Sequence, residues 1–193
     1  GSPRSAPRGC LVTQTLPTLA SLIADSPTLR LRSAVAETLR ARLPFLAVET
    51  MAGKLDVADV VAKKLVRAPG LMIAATRVGP REPAVGGRDE AIVELSVYVV
   101  AEDTVEVVGG IKRRLDRDQV GYAILDGLIS LVLDDGFARW GLDDIGAPED
   151  VEAQPFLALR AMLEGVAFYV VTWRQALILS RPMPEIAWNG SPP

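Results

Sequence analysis

The sequence predicts an α+β fold, a mixed or mainly antiparallel sheet with helices packed mostly on one face. Three observations carry that expectation. From Ala91 to Val100 the chain alternates, with Val93, Leu95, Val97 and Val99 on one side and Ile92, Glu94, Ser96, Tyr98 and Val100 on the other, which is the period of a strand. Further on, Val120, Ile124, Leu125, Leu128, Leu131 and Val132 recur at three- and four-residue steps, forming one stripe of a helix with Asp118 as its N-cap and Gly136 as its stop. The segments run helix, strand, helix, strand, strand, helix, strand. A sheet with one aliphatic face beside striped helices makes two layers around one core.

Residues 1–27 are rich in Pro, Ser and Thr and read as an N-terminal arm, with a helix-compatible patch from Leu19 to Ile23. Pro27-Thr28 opens a helix, Leu31, Val35, Leu39 and Leu43 follow at four-residue spacing, and Pro44 stops it. Phe45 to Thr50 reads as a strand, and Gly53 turns the chain. Asp56 caps a second helix striped by Val57, Val60, Val61 and Leu65, which Pro69-Gly70 ends. Leu71 to Thr76 is a short strand. Between it and the strand at Ala91, the glycines and prolines of residues 77–90 suit a long projecting loop. Gly109-Gly110 marks a turn before the basic patch Lys112-Arg113-Arg114, a polar crossing into the helix. An acidic segment follows the helix, with Asp134, Asp135, Asp143, Asp144, Glu149, Asp150 and Glu152 opposed only by Arg139. Val166 to Trp173 is apolar on both faces and reads as a central strand. The domain is thus expected over 28–175, with a proline-rich tail at 176–193.

Bulk properties exclude several classes of function. The chain has 193 residues and is 49% hydrophobic, enough for a sizeable core, and its net charge of -3 lacks the basic excess of a protein that wraps phosphates. No apolar run is long enough to span a bilayer, so no membrane partner is expected. The N-terminus does not read as a signal peptide. Cys10 is the only cysteine, which rules out an internal disulfide and a four-cysteine metal site and points to a reducing cytoplasm.

With no histidine in the chain, a Ser-His-Asp arrangement is impossible. A Ser-Lys pair stays open, but no serine sits in a G-x-S-x-G elbow. Gly109-Gly110-Ile111-Lys112 lacks the earlier glycine of a phosphate loop, and Arg113 stands where its hydroxyl residue belongs. Asp134-Asp135 and Asp143-Asp144 are the right ligand type for a hard cation, yet the calcium-loop spacing is missing and solvated carboxylates are the commoner case. The chain therefore suggests no catalytic residue, no cofactor and no metal.

Candidate contact residues are easier to find. Arg81, Glu82, Arg88 and Asp89 bring both signs of charge to the 77–90 loop. Asp134 and Asp135 lie at a helix C-terminus, where the dipole disfavours them and a base from Arg139 or a neighbouring chain is wanted. Trp140 and Trp188 stand in polar or proline-rich contexts, where tryptophans anchor interfaces or fold back on their own domain. Tyr98 sits on the second face of its strand with Ile92 and Val100, a face too apolar for water alone. A neighbouring copy is the economical cover, which favours a cyclic homo-oligomer. The competing cover is the N-terminal arm or the C-terminal tail in cis.

Arg40-Ala41-Arg42-Leu43-Pro44 with Phe45 to Thr50, Ala68 to Ala74, Glu94 to Ala101, Gly121-Tyr122-Ala123-Ile124-Leu125 and Val166 to Thr172 together cover about residues 30–175. In their order and pattern they resemble the tail terminator or tail-completion proteins of Mu-like bacteriophages. The resemblance implies a structural virion protein of the tail or neck, assembled in the host cytoplasm. Such proteins form a ring, typically hexameric, on the last ring of the tail tube, stop its growth, and join the tail to the capsid connector. Implied partners are further copies of the chain, the tail tube protein, a head-tail connector or neck protein, and the sheath protein where the tail has one. DNA only passes through the lumen. A neck or baseplate adaptor of a phage or phage-like injection particle is the alternative, and a small metal- or nucleotide-binding enzyme the third reading.

Overall fold

In the computed structural model the described residues are 18–55, 66–80, 90–134, 136, 139–156 and 165–178. A six-residue helix, α1 (Leu19–Ala24), comes first, capped by the Thr18 hydroxyl. Ser26 then caps α2 (Pro27–Arg42), where Pro27 sits at the helix start because its missing N–H is not needed there. Leu31, Val35 and Leu39 are wholly buried on its inner face. The strands that follow are β1 (Ala47–Thr50), β2 (Gly70–Pro80) and β3 (Glu90–Glu102). A short pair, β4 (Thr104–Val108) and β5 (Ile111–Leu115), precedes the second long helix, α3 (Arg117–Leu133). β6 (Glu149–Pro155) and β7 (Val166–Ile178) complete the chain.

Five strands form one sheet in the order β1-β2-β3-β7-β6. Only β1 and β2 run parallel; the other pairs are antiparallel. The sheet is centred on β3 and β7, paired without interruption from Glu90↔Ile178 to Glu102↔Val166. Between Ala75 and Arg77 a register shift bulges β2, and the Thr76 hydroxyl donates to Glu94 Oε1 across it at 2.8 Å. The α+β architecture follows the sequence expectation: α2 and α3 both lie on the face carrying Val93, Leu95, Val97 and Val99. Those four side chains are completely buried, each contributing about 1.5–3 kcal/mol of transfer free energy.

The second face of the sheet corrects an expectation. Met72, Ala74, Tyr98, Val100, Phe168 and Val170 are covered by Leu55, Val66 and Phe156, all in the same chain. The cover comes from the ends of the β1–β2 connection and from the residue after β6, where a neighbouring copy or the terminal segments were expected. These residues lie far from β3 in sequence, and no periodicity links them to it.

Two polar devices tie elements to the sheet. Gln175 is fully buried; its Oε1 accepts from the indole N–H of Trp140 at 2.9 Å and of Trp173 at 3.0 Å, and its Nε2 donates to the Gly146 carbonyl at 3.0 Å. This clamp holds the 139–146 segment against β7, with the Trp140 and Trp173 rings 5.8 Å apart. Further along the same face of β7, a Cβ on Gly121 would stand 2.2 Å from the Tyr169 ring, so the glycine lets α3 approach β7 closely. The Tyr169 hydroxyl donates to Asp118 at 3.1 Å. Burial first, and the Asp118 carboxylate second, push that phenol up to about 12.

Several boundaries move. Asp116, not Asp118, is the N-cap of α3, with Gln119 Oε1 accepting from the Asp116 N–H. The helix ends at Leu133, before Gly136. β2 runs on to Pro80, which shortens the loop expected at 77–90. β7 runs on to Ile178, so the tail expected from residue 176 begins within a strand whose Ala176 and Leu177 are buried. The helix expected after Asp56 lies outside the described residues.

Candidate interaction surface

Gly109 and Gly110 have φ of 59° and 82°, the left-handed pair that a two-residue hairpin turn requires. The segment expected as a basic crossing is therefore a hairpin, with Val108 opposite Ile111 and Thr104 opposite Leu115. Alternation puts Val105, Val107, Lys112 and Arg114 on one face and Val108, Ile111, Glu106 and Arg113 on the other. Both faces of the hairpin are exposed along most of its length. Val105, Val107, Val108 and Ile111 are 60%, 61%, 59% and 74% exposed.

A lone two-stranded hairpin is marginal in water, and this one is fastened at its base. Asp103 Oδ2 accepts from Arg114 at 2.8 Å, and its Oδ1 accepts from the Arg117 backbone N–H at 2.9 Å. Those bonds, the Arg117 N–H foremost and Arg114 next, hold the Asp103 carboxyl below its ordinary range. Beneath the base lies an open groove of about 410 Å³ whose apolar lining includes Phe45, Val105, Leu115, Val120, Ala123 and Ile124. Phe45 is 67% exposed at its rim. A second apolar surface is on α1, where Leu19, Leu22 and Ile23 face solvent.

The opposite end of the sheet has a different character. β6 is the outermost strand, and no described strand pairs with its outer side. Glu149, Asp150 and Glu152 are all exposed along it. Asp150 adopts φ of 52° where the register with β7 shifts, and its carboxylate pairs with Arg174 at 2.9 Å. Nearby, Arg77, Gly79, Ile92, Glu94 and Arg174 line a shallow depression of about 220 Å³ on the second face.

The residues singled out from sequence do not gather in one place. Arg81, Glu82, Arg88, Asp89, Asp135 and Trp188 lie outside the described residues. Asp134 is exposed, and its Oδ1 accepts from the Gly136 N–H at 2.8 Å, so a local turn meets part of the need assigned to a distant base. Tyr98 is corrected outright: it is 4% exposed, its hydroxyl accepts from the Leu55 N–H at 3.2 Å, and its ring meets Phe156 edge-on at 5.6 Å. Trp140 folds back into the core at 4% exposure. Asp144 pairs with Arg30 of α2, and among the described residues no three His, Cys, Asp or Glu side chains converge as metal ligands.

The hairpin and the β6 edge are the surfaces that sequence reading missed. Gly109-Gly110 was the available signal, since two glycines between stretches containing Val105, Val107, Ile111 and Leu115 mark a hairpin. No described helix is long and apolar enough to cross a membrane. Neither a protein-family model nor a curated relative matches the chain.

Proposed function

We propose that this chain is a structural subunit of a phage-type tail, one copy of a ring that caps the tail tube, stops its polymerisation and joins it to the capsid connector. The observation that supports this reading most is the hairpin, which leaves Val105 and Val107 on one face and Val108 and Ile111 on the other exposed to water. A two-stranded hairpin outside the main sheet with apolar side chains bare on both faces is a surface for a partner to cover. Tube, connector or neck proteins, and sheath protein where present, are the proposed partners, with the virion tail or neck as the site of residence. DNA is proposed only to thread the lumen. The described charged groups are mostly solvated or pair to fix local structure, as Asp103 does at the hairpin base, which suits a part made for assembly.

The reading is tested by light scattering on the purified chain and by immunolabelling of intact particles. The expected mass is a multiple of 20.7 kDa, with label at one end of the tail. A single-copy mass at all concentrations, together with particles that carry no label, would refute it.

A further inference from the structure

Two apolar features of the chain stand uncovered at opposite ends of α2. The first is α1, in which Leu19, Leu22 and Ile23 follow at i, i+3 and i+4, the spacing that lines one face of a helix. They are 74%, 56% and 55% exposed, and no residue of α1 is buried. The second is the groove beneath the hairpin, lined by Phe45, Val105 and the Val120, Ala123 and Ile124 stretch of α3, with Glu106 the one charged residue in the described lining. The two cannot meet within one chain. Only Asp25 and Ser26 separate α1 from α2, and the Ser26 N–H closes that corner on the Ile23 carbonyl at 3.3 Å. The 16 residues of α2 then extend about 24 Å before the chain reaches Phe45. Even with the corner pulled straight, Leu19 would reach back only about 18 Å from the start of α2.

We propose that α1 of one copy seats in the groove of the next, so that each joint sets the start of α2 in one chain beside its end in another. This rests on the ring reading above and names the contact that builds it. Helix-in-groove recognition takes anchors at i, i+3 and i+4. α1 offers that set on a segment with no charged side chain, which suits a groove whose lining is mostly apolar. Shape selects the pairing. Two grooves are both concave and cannot fill each other, and two α1 helices side by side would leave both grooves open. Area decides what else takes part. A stable interface buries about 800 Å² on each partner, more than one short helix supplies. The hairpin provides the adjoining surface, with Val105 in the groove lining and Val107 exposed on the same face. A six-residue helix is also marginal in water by itself, so docking stabilises α1 along with the joint. Because the two sides are different surfaces, the contact runs head to tail and propagates around a ring.

The experiment uses the full chain. Leu22→Glu places a charge on the bare face of α1, and Ala123→Glu places one on the groove wall, where Ala123 is exposed. Neither side chain is buried in the single copy, so circular dichroism should match wild type. By light scattering, each variant is expected to need at least about tenfold more protein than wild type to reach the multiple-copy mass, because docking would strip water from the new carboxylate. Cross-linking identifies the joint without disturbing it. In a Cys10→Ser background, Leu22→Cys and Ala123→Cys chains mixed in equal amounts and treated with a short bis-maleimide should give cross-linked pairs, and neither chain alone should. Pairs formed as readily by one chain alone reveal a two-fold contact and overturn the joint. A mixture that gives no pairs overturns it too, as does wild-type assembly in both glutamate variants, and in each case the ring is left standing. A wild type that stays single-copy at every concentration sinks the ring reading itself.

Discussion

Replacing Gln175 by leucine keeps the volume of the side chain nearly constant and removes only its polar end. In the folded chain that end accepts from two indole N–H groups and donates to one carbonyl, at 2.9, 3.0 and 3.0 Å. The site is closed, since Trp173 is 1% exposed and Trp140 4%, so water does not replace the lost partner without rearrangement. Each buried polar group left without a partner costs about 1–3 kcal/mol. With partial relaxation the substitution should cost about 3–6 kcal/mol, a large share of the roughly 5–15 kcal/mol that holds a typical domain together. Urea unfolding followed by circular dichroism measures the loss. Trp140→Phe supplies the internal control: it removes one of the stranded donors, so Gln175→Leu should cost about 1–3 kcal/mol less in that background. A loss below about 1 kcal/mol, or equal losses in the two backgrounds, would mean that packing alone positions the 139–146 segment.

Gly121→Ala separates helix propensity from close approach. Propensity predicts a gain of up to about 1 kcal/mol in a helix interior, whereas a Cβ placed 2.2 Å from the Tyr169 ring predicts a loss of about 1–3 kcal/mol. The loss should shrink when Tyr169→Leu is added, and a stabilised single variant by thermal melting would show that α3 is free to shift. Asp103→Asn tests the hairpin anchor through pH. The folded carboxyl titrates below its ordinary 3.8, so its stabilising contribution is complete above that value and is lost as pH falls through the folded pKa. Wild-type hairpin amides, corrected for intrinsic exchange, should keep their hydrogen-exchange protection down to about pH 4 and lose it as pH falls further towards about 1, while the variant should be equally unprotected throughout. Unchanged wild-type protection across that range would show that the strand pair stands without its anchor.

What was legible in the sequence were the elements whose burial is one-sided and periodic. Val93 to Val99 and the stripe from Ile124 to Val132 declared their faces, and both faces are where the alternation put them. Misreadings came where burial and periodicity part company. β6 was hidden because Glu149, Asp150 and Glu152 belong to an edge, where a strand meets water on its side chains while its backbone is paired on one side. The hairpin was hidden because Lys112-Arg113-Arg114 reads as polar crossing although Val105, Val107 and Ile111 alternate around it. Tyr98 reads as a contact residue because its face is apolar and has no cover nearby in sequence, and Trp140 reads as either an anchor or a fold-back because its neighbours are polar. Their partners, Leu55 and Gln175, lie 43 and 35 residues away, and no local pattern predicts a meeting at that distance.

The strand order also sets a timetable for synthesis. β3 is complete when residue 102 leaves the ribosome, but its long partner β7 is complete only at residue 178. At about 5–20 residues per second that interval lasts roughly 4–15 s. Throughout it β3 has β2 on one side and a bare edge on the other, with the valines of its alternating run close beside that edge. Such an edge is a template for any extended chain nearby. The hairpin and α3 both form within the interval from short-range contacts, and α3 packs on the same face of β3 that β7 later extends. A nascent chain stalled between these residues would therefore be the form of this protein most exposed to aggregation and most in need of a chaperone.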